Sequence, residues 1–275
     1  MASEFKNSKF LQKHYYLLDS HYKSDSLDKG RKFKPFFDEL CQHIFDINLT
    51  MLQGIEDFPL LYSEEKSYSS IAAAINNITP YHISEWTIDC RGYGIADKES
   101  GKEKKTRKVD FWCRSKDKDF DVWMELKALR FYVSKDELDT DSIHKAFEQI
   151  LEIHKINKQD RIQDHKLVLL NTKVICDKED FFDKSYQKSL EKVPQILAKK
   201  LDEEYGKIND EITKEAQKGL LLGVLDLREQ IQKDIKNDIC YRIDYANGLE
   251  NKSFFGKLVA PYIILAGLVI TNPRD

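Results

Sequence analysis

The spacing of apolar residues divides the chain into segments of helical and of strand period. Aromatic and aliphatic residues recur at helical spacing over 8–23 and 35–53, and the second segment opens with Pro35, a residue favoured in the first turn of a helix. A third helix is predicted over 64–78 and ends before Pro80. The first part of the chain is therefore predicted to be helical.

After this point the apolar period changes to two. Alternating runs rich in β-branched and aromatic residues predict three strands, over 84–90, 108–114 and 121–129. Helical spacing returns over 142–158, and a continuous apolar run over 166–175 is typical of a buried strand. The predicted order is helix, strand, strand, strand, helix, strand.

The last third of the chain mixes a charge-dense segment with two apolar runs. Residues 178–218 have helical spacing broken at Pro194, and we interpret them as a helical insertion. The runs 220–227 and 259–271 have the length of strands and are predicted to extend the sheet. The second run is shorter than the roughly 20 apolar residues that a membrane span requires, so no membrane association is expected.

These patterns predict an α/β chain of the α+β type, with a mixed sheet and added helices. Three parts are expected: a helical extension over 1–62, a core over 63–176, and a helical insertion with strands that pack on the core sheet over 177–275. The chain has 275 residues, of which 41% are hydrophobic, enough to bury a sizeable core.

Charge and cysteine usage exclude several classes of partner and compartment. Lys and Arg number 44 against 47 Asp and Glu, so a net charge of −3 gives no global attraction for nucleic acid, and phosphate would have to meet a local basic patch. The five cysteines are scattered singly, without a C-x-x-C pair or a recognisable signal peptide. Buried thiols in the cytoplasm are expected.

One E-x-K tripeptide stands out because of its context. The tripeptide alone is uninformative in a chain so rich in Glu and Lys. Glu125 and Lys127, however, lie in a predicted strand, on the face opposite Met124 and Leu126. Two charged side chains then share one face of a largely apolar strand.

The preceding strand supplies a carboxylate opposite Glu125. A polar stretch centred between Asp117 and Lys118 separates the two strands as a hairpin loop would, and a symmetric loop places Asp110 directly across from Glu125. Their Cβ atoms would be roughly 5 Å apart. Two facing carboxylates repel unless a cation lies between them, and hard divalent ions prefer oxygen ligands. The register therefore predicts a metal site, with the Leu126 carbonyl as a third oxygen.

The segments V-D-F-W-C and M-E-L-K-A-L, separated by a hairpin within this order of elements, resemble the PD-(D/E)XK nuclease superfamily of restriction-endonuclease-like proteins. The resemblance covers about residues 63–176 and departs from the motif at Val109, where its name has Pro. It implies a restriction-endonuclease-like core in which Asp110 and Glu125 bind Mg²⁺ or Mn²⁺ and Lys127 assists hydrolysis. It matches no particular subfamily.

Further candidate residues surround this motif. The family often adds an acid from the first helix, and Glu65 fits better than Glu64, although acids in a first helical turn are also favoured by the helix dipole alone. A basic loop before the Asp110 strand is either a phosphate-binding element or a solvated hairpin tip. It contains Lys98, Lys102, Lys104, Lys105, Arg107 and Lys108. His154 is expected in the core, and Gln149 either reaches the site or lies on the surface.

The leading hypothesis is a Mg²⁺-dependent phosphodiesterase that cleaves nucleic acid, DNA rather than RNA by family analogy, in restriction, repair or phage defence. The alternative is a catalytically silent protein that keeps the nuclease fold as a nucleic-acid-binding or regulatory partner. The oligomeric state is left open, with a homodimer as one option.

Overall fold

The computed structural model describes residues 9–96, 100–157, 164–207, 216–233 and 258–271. Its helices are α1 Lys9–His14, α2 Gly30–Ile55, α3 Glu64–Ile78, α4 Thr140–Asn157, α5 Lys178–Phe181, α6 Lys184–Leu190, α7 Val193–Lys207 and α8 Arg228–Lys233. Its strands are β1 Tyr15–Leu18, β2 His82–Asp89, β3 Thr106–Arg114, β4 Asp121–Tyr132, β5 Glu137–Leu138, β6 Asp164–Asp177, β7 Gln217–Asp226 and β8 Leu258–Thr271. The expected α+β class with a mixed sheet is confirmed.

A single mixed sheet joins elements from all parts of the chain. Its strand order is β1-β7-β8-β6-β4-β3-β2, and β5 pairs with the end of β4. The β4–β6 pair is parallel, with α4 as its crossover helix, and the other neighbours are antiparallel. The two C-terminal runs do extend the sheet, since β7 and β8 lie between β1 and β6.

Helices cover both faces of this sheet. On one face α2 packs closely on β7, because Gly223 leaves room for Cys41: an added Cβ there would be 2.6 Å from its sulfur. On the other face Tyr205 of α7 stacks on Phe147 of α4 and lies under Lys218 of β7. Side chains at 218 and 223 point to opposite faces by strand alternation, so α2 and α7 enclose the sheet.

The central strands are buried on both faces as a result. Along β4, every residue from Asp121 to Leu126 is buried. Glu125, which was expected on the face opposite Met124 and Leu126, is therefore buried as well, at 3% exposure. A carboxylate buried in this way needs a partner.

Two helix predictions need correction. The helical segment predicted over 8–23 is helical only over α1, because Tyr15–Leu18 forms β1 and pairs with β7. The second helix begins at Gly30, so Pro35 lies inside α2 rather than opening it. In contrast, α3 spans 64–78 as predicted, and Pro194 opens α7 after a break.

The remaining general expectations concern the cysteines and the membrane. Cys41, Cys90, Cys113 and Cys176 are buried free thiols, whereas Cys240 lies outside the described residues. Among the helices that the structure describes, none combines the length and the apolar character that a bilayer crossing demands.

Candidate active site

The candidate site lies where β3 and β4 separate. The two strands pair from Phe111–Met124 to Arg114–Asp121, which is the register that the symmetric hairpin predicted. Beyond Phe111 and Met124 they are no longer paired, although β3 continues to Thr106 and β4 to Tyr132. A gap therefore opens beside β4, immediately after the last pair.

Asp110 is the first residue of β3 beyond the paired region, and its carboxylate lies in this gap. Its Oδ2 accepts a hydrogen bond from the backbone N–H of Leu126 at 2.7 Å, so its carboxylate takes the place of a strand carbonyl. Its Oδ1 accepts a hydrogen bond from the hydroxyl of Tyr68, on α3. The paired register ends at Phe111–Met124, so the expected direct pair of Asp110 with Glu125 is not formed in the sheet, although the charge of Asp110 acts on Glu125. The Leu126 N–H and the Tyr68 hydroxyl thus hold Asp110 in place beside Glu125.

Glu125 is buried beside a buried arginine. Its Oε2 lies 3.0 Å from Nη2 of Arg107, whose Nε lies 3.4 Å from Glu152 on α4. Burial, and next the negative charge of Asp110, raise the pKa of Glu125 to about 7, although Arg107 and Lys127 act in the opposite direction. The two carboxylates therefore repel each other across the gap, as the sequence predicts.

Lys127 places its ammonium among four oxygen atoms. Its Nζ donates to the Leu126 carbonyl at 2.8 Å and lies 3.2 and 3.3 Å from the two carboxylate oxygens of Glu64. Oε1 of Glu125 is 3.6 Å away. Burial raises the pKa of Glu64 despite the attraction of Lys127. The ammonium thus lies in a cage of hard oxygens.

The first-helix acid in this cage is Glu64 and not Glu65, which was the predicted choice. Glu65 is exposed, whereas Glu64 is partly buried against Lys127. The phase of α3 explains the difference: Glu64 precedes Tyr68 by four residues and the buried Ile71 by seven, so it shares their face. That spacing was visible in the sequence.

The oxygen donors fit a hard divalent cation in type, although protein groups hold them here. Among the described residues, no group of three or more His, Cys, Asp or Glu is arranged to hold a metal ion. The reason is local, since Asp110 is bound by Tyr68 and Leu126, Glu125 by Arg107, and Glu64 by Lys127. The ammonium of Lys127 occupies the position of a metal ion among carboxylate and carbonyl oxygens, the donors that Mg²⁺ and Mn²⁺ prefer.

Most of the basic loop that the structure describes is paired internally. Lys104 binds Glu152 at 2.8 Å, Arg107 is buried at the site, and Lys108 binds Glu85. Lys102 and Lys105 are exposed, and Lys98 lies outside the described residues. The loop therefore presents less positive charge than its composition suggests.

A strained backbone position lies next to Asp110 on the edge strand. Glu85 of β2 has a φ of 56°, in the left-handed region, and the β2–β3 ladder skips it between the Ser84 and Trp86 pairs. The skipped partner in that register is Asp110. Strained residues of this kind concentrate at functional sites.

Two residues of α4 were also singled out by the sequence. His154 is buried, as expected of a core histidine. Gln149 is one turn before Glu152, and its side-chain oxygen is buried without a hydrogen-bond partner in the part of the chain that the structure describes. The structure does not connect Gln149 to Asp110 or Glu125.

Sequence reasoning missed three functional candidates. Tyr68 was not assigned a role, Arg107 was treated only as a loop cation, and Glu152 was not considered. The signal for Arg107 was its place two residues before Val109, inside the strand rather than in the loop. Nothing in the sequence indicated that Glu152 would reach it.

Comparisons with protein-family models, with curated proteins and with solved structures find no match to this chain.

Proposed function

We propose that this protein is a metal-dependent phosphodiesterase acting on nucleic acid, of the PD-(D/E)XK type. The observation that carries the proposal is the gap between β3 and β4, where Glu64, Glu125 and the Leu126 carbonyl surround the ammonium of Lys127 and Asp110 binds the Leu126 N–H. Three buried or partly buried carboxylates at one point repel each other and stabilise a fold only if they bind cations. We infer that their function is to bind one.

Asp110, Glu125 and the Leu126 carbonyl are the residues that would hold Mg²⁺ or Mn²⁺. When bound, such an ion polarises the scissile phosphate and lowers the pKa of a coordinated water. Tyr68 and the Leu126 N–H fix the position of Asp110. Lys127 lies beside Glu125 and the Leu126 carbonyl, where its ammonium can orient an attacking water or offset charge on the phosphate.

DNA is proposed over RNA by analogy with the family that the motif resembles. A role in restriction, repair or phage defence in the cytoplasm belongs to the same analogy, and a homodimer is one option for the assembly.

The experiment is a cleavage assay on supercoiled plasmid and on end-labelled linear DNA, with Mg²⁺, Mn²⁺ or EDTA. We expect cleavage by the native chain with either ion and none in EDTA. Asp110→Asn and Lys127→Met should lose cleavage while remaining folded, and the matched surface variant Asp117→Asn should keep it. Equal cleavage by the native and Asp110→Asn proteins would exclude this site.

One observation favours the catalytically silent alternative. Arg107 already neutralises Glu125, so a protein that binds no metal would still be stable. In that case the native chain binds DNA in EDTA, neither ion raises its melting temperature, and neither ion produces cleavage. An ion that binds the native state must stabilise it, so a single melting experiment separates the two proposals.

A further inference from the structure

A cleft of about 630 Å³ adjoins the candidate site on the side of Glu64. It follows β4 away from the gap and is bordered by the short strand β5 and by Asp139, the residue before α4. Its lining consists of Ser63, Glu64, Ala128, Arg130, Tyr132, Glu137, Leu138, Asp139 and Lys173. Because Glu64 belongs both to the cleft and to the cage around Lys127, a molecule bound in the cleft would reach the candidate site.

Two cations lie side by side on the inner wall. Arg130 of β4 and Lys173 of β6 are direct partners in the parallel register, so their side chains leave the same face of the sheet. Lys173 is only 2% exposed, and its Nζ donates to the carbonyl oxygen of Tyr62. Burial, and next the charge of Arg130, lower the pKa of Lys173 to about 8. An anion bound between Arg130 and Lys173 would offset both the burial of the Lys173 ammonium and its repulsion by Arg130.

The acidic residues that line the cleft are placed differently from these two cations. Asp139 accepts hydrogen bonds from the N–H and hydroxyl of Ser142, which commits its carboxylate to the start of α4. Glu137 is exposed on β5, and Glu64 is bound to Lys127. The negative charge therefore lies at the rim and at the entrance to the candidate site, while the inner wall is positive.

The size of the cleft limits what it can hold. A volume of this order encloses one small ligand, of the size of a nucleotide, and leaves no room for a duplex. The partly buried side chain of Tyr132 lines the same wall, and the ammonium of Lys135 lies over its ring, 5.5 Å from the centroid. An unpaired strand, with its backbone exposed, is the form of nucleic acid that fits.

We propose that this cleft binds the backbone phosphates of an unpaired nucleic-acid strand, through Arg130 and Lys173, next to the bond presented to the candidate site. This inference rests on the proposed function and names the form of its substrate. It predicts a preference for single strands, splayed ends or flaps over continuous duplex.

The test is binding of a fluorescent single-stranded oligonucleotide, and of the matching blunt duplex, across a salt series in EDTA. The test variant is Arg130→Gln with Lys173→Met, and Arg130→Gln alone serves as a second variant that leaves the buried position intact. The control is Arg31→Gln with Lys32→Gln, which removes the same charge near the β3–β4 turn, where Lys32 binds Asp119. That turn is at the opposite end of β4 from the cleft. Melting temperatures establish that each variant is folded.

For the single strand, we expect the test variant to reduce the slope of log affinity against log salt by up to about 1.4, or about 0.7 per phosphate contact. The control should leave that slope unchanged, and the duplex should be affected little by either variant. An unchanged slope in the test variant, or an equal loss in the control or with the duplex, would overturn the cleft proposal alone. A native chain that neither binds nor cleaves nucleic acid would overturn the proposed function as well.

Discussion

Nη2 of Arg107 lies 3.0 Å from Oε2 of Glu125, with side chains only 10% and 4% exposed. The same guanidinium reaches Glu152 on α4, so one cation joins β3, β4 and a helix. Buried ion pairs add little net stability, but removing one partner leaves an uncompensated charge in the interior. The pair therefore explains how the protein tolerates a buried Glu125 without a metal ion.

We predict that Arg107→Met destabilises the metal-free protein by about 3 to 5 kcal/mol, the usual cost of breaking a buried pair. Glu125→Gln in the same chain should recover much of that loss, because the buried charge is then gone. Urea unfolding of the native protein, both single variants and the double variant gives the coupling energy. Additive effects would show that Arg107 and Glu125 do not interact.

Stability should also depend on pH through Glu125. Its folded pKa of about 7 is above the ordinary value of 4.5, owing to burial and to Asp110, against Arg107 and Lys127. The native state therefore binds a proton more tightly than the unfolded state. The contribution of Glu125 to stability is therefore largest at low pH and falls by about 3 kcal/mol as pH rises from about 4.5 to 7, in EDTA.

Glu125→Gln removes this dependence, and the exposed Glu203→Gln on α7 serves as the matched control. Unfolding free energies measured from pH 5 to 8 should show a flatter profile for Glu125→Gln alone. Two variants with the same profile, or a stability difference between the native chain and Glu125→Gln that does not change from pH 5 to 8, would contradict the assignment.

Tyr68→Phe tests the group that holds Asp110. The variant loses the hydroxyl that donates to Oδ1, so we expect a stability cost of about 1 to 3 kcal/mol. Partners that orient a ligand typically affect metal affinity or activity by about 10- to 100-fold, and we expect a loss in that range for both. The measurements are Mn²⁺ titration and the cleavage rate, with Tyr81→Phe as the control. Unchanged Mn²⁺ affinity would mean that Tyr68 does not position Asp110.

The sequence was sufficient for the register of the β3–β4 hairpin but not for the cage around it. Strand alternation and a symmetric polar loop define the pairs from Phe111–Met124 to Arg114–Asp121, but the strands separate before Asp110 and Glu125 can pair. The contacts of Arg107 depend instead on where β3 leaves β4 and on the placement of α4. These contacts are set by packing between elements that are far apart in sequence.

The N-terminal strand shows the same limit. The aromatic and aliphatic residues of Tyr15–Leu18 fit a helical stripe, yet they form β1 because β7 offers an edge to pair with. All four are partly buried, so the segment carries no alternation that would mark a strand. Pairing across about two hundred residues overrode the local preference.

Lys127→Met separates metal binding from DNA cleavage at the candidate site. Its ammonium occupies the oxygen cage, so a divalent ion must compete with it for Glu64, Glu125 and the Leu126 carbonyl. We expect the variant to bind Mn²⁺ at least as tightly as the native chain and yet to lose DNA cleavage. Weaker Mn²⁺ binding by Lys127→Met, measured by calorimetry, would show that the ammonium supports the metal site instead of competing for it.

The central claim is that Asp110 and Glu125 form a divalent-cation site, and calorimetric titration of Mn²⁺ tests it most directly. We predict that the native chain binds the ion at this site, that Asp110→Asn and Glu125→Gln lose that binding while remaining folded, and that the exposed Asp117→Asn keeps it. In EDTA, Asp110→Asn should lose no more stability than its lost hydrogen bonds cost. The variant also removes the repulsion between Asp110 and Glu125, which acts in the opposite direction. Native-like Mn²⁺ binding by Asp110→Asn and Glu125→Gln, or no binding by the native chain, would contradict the account.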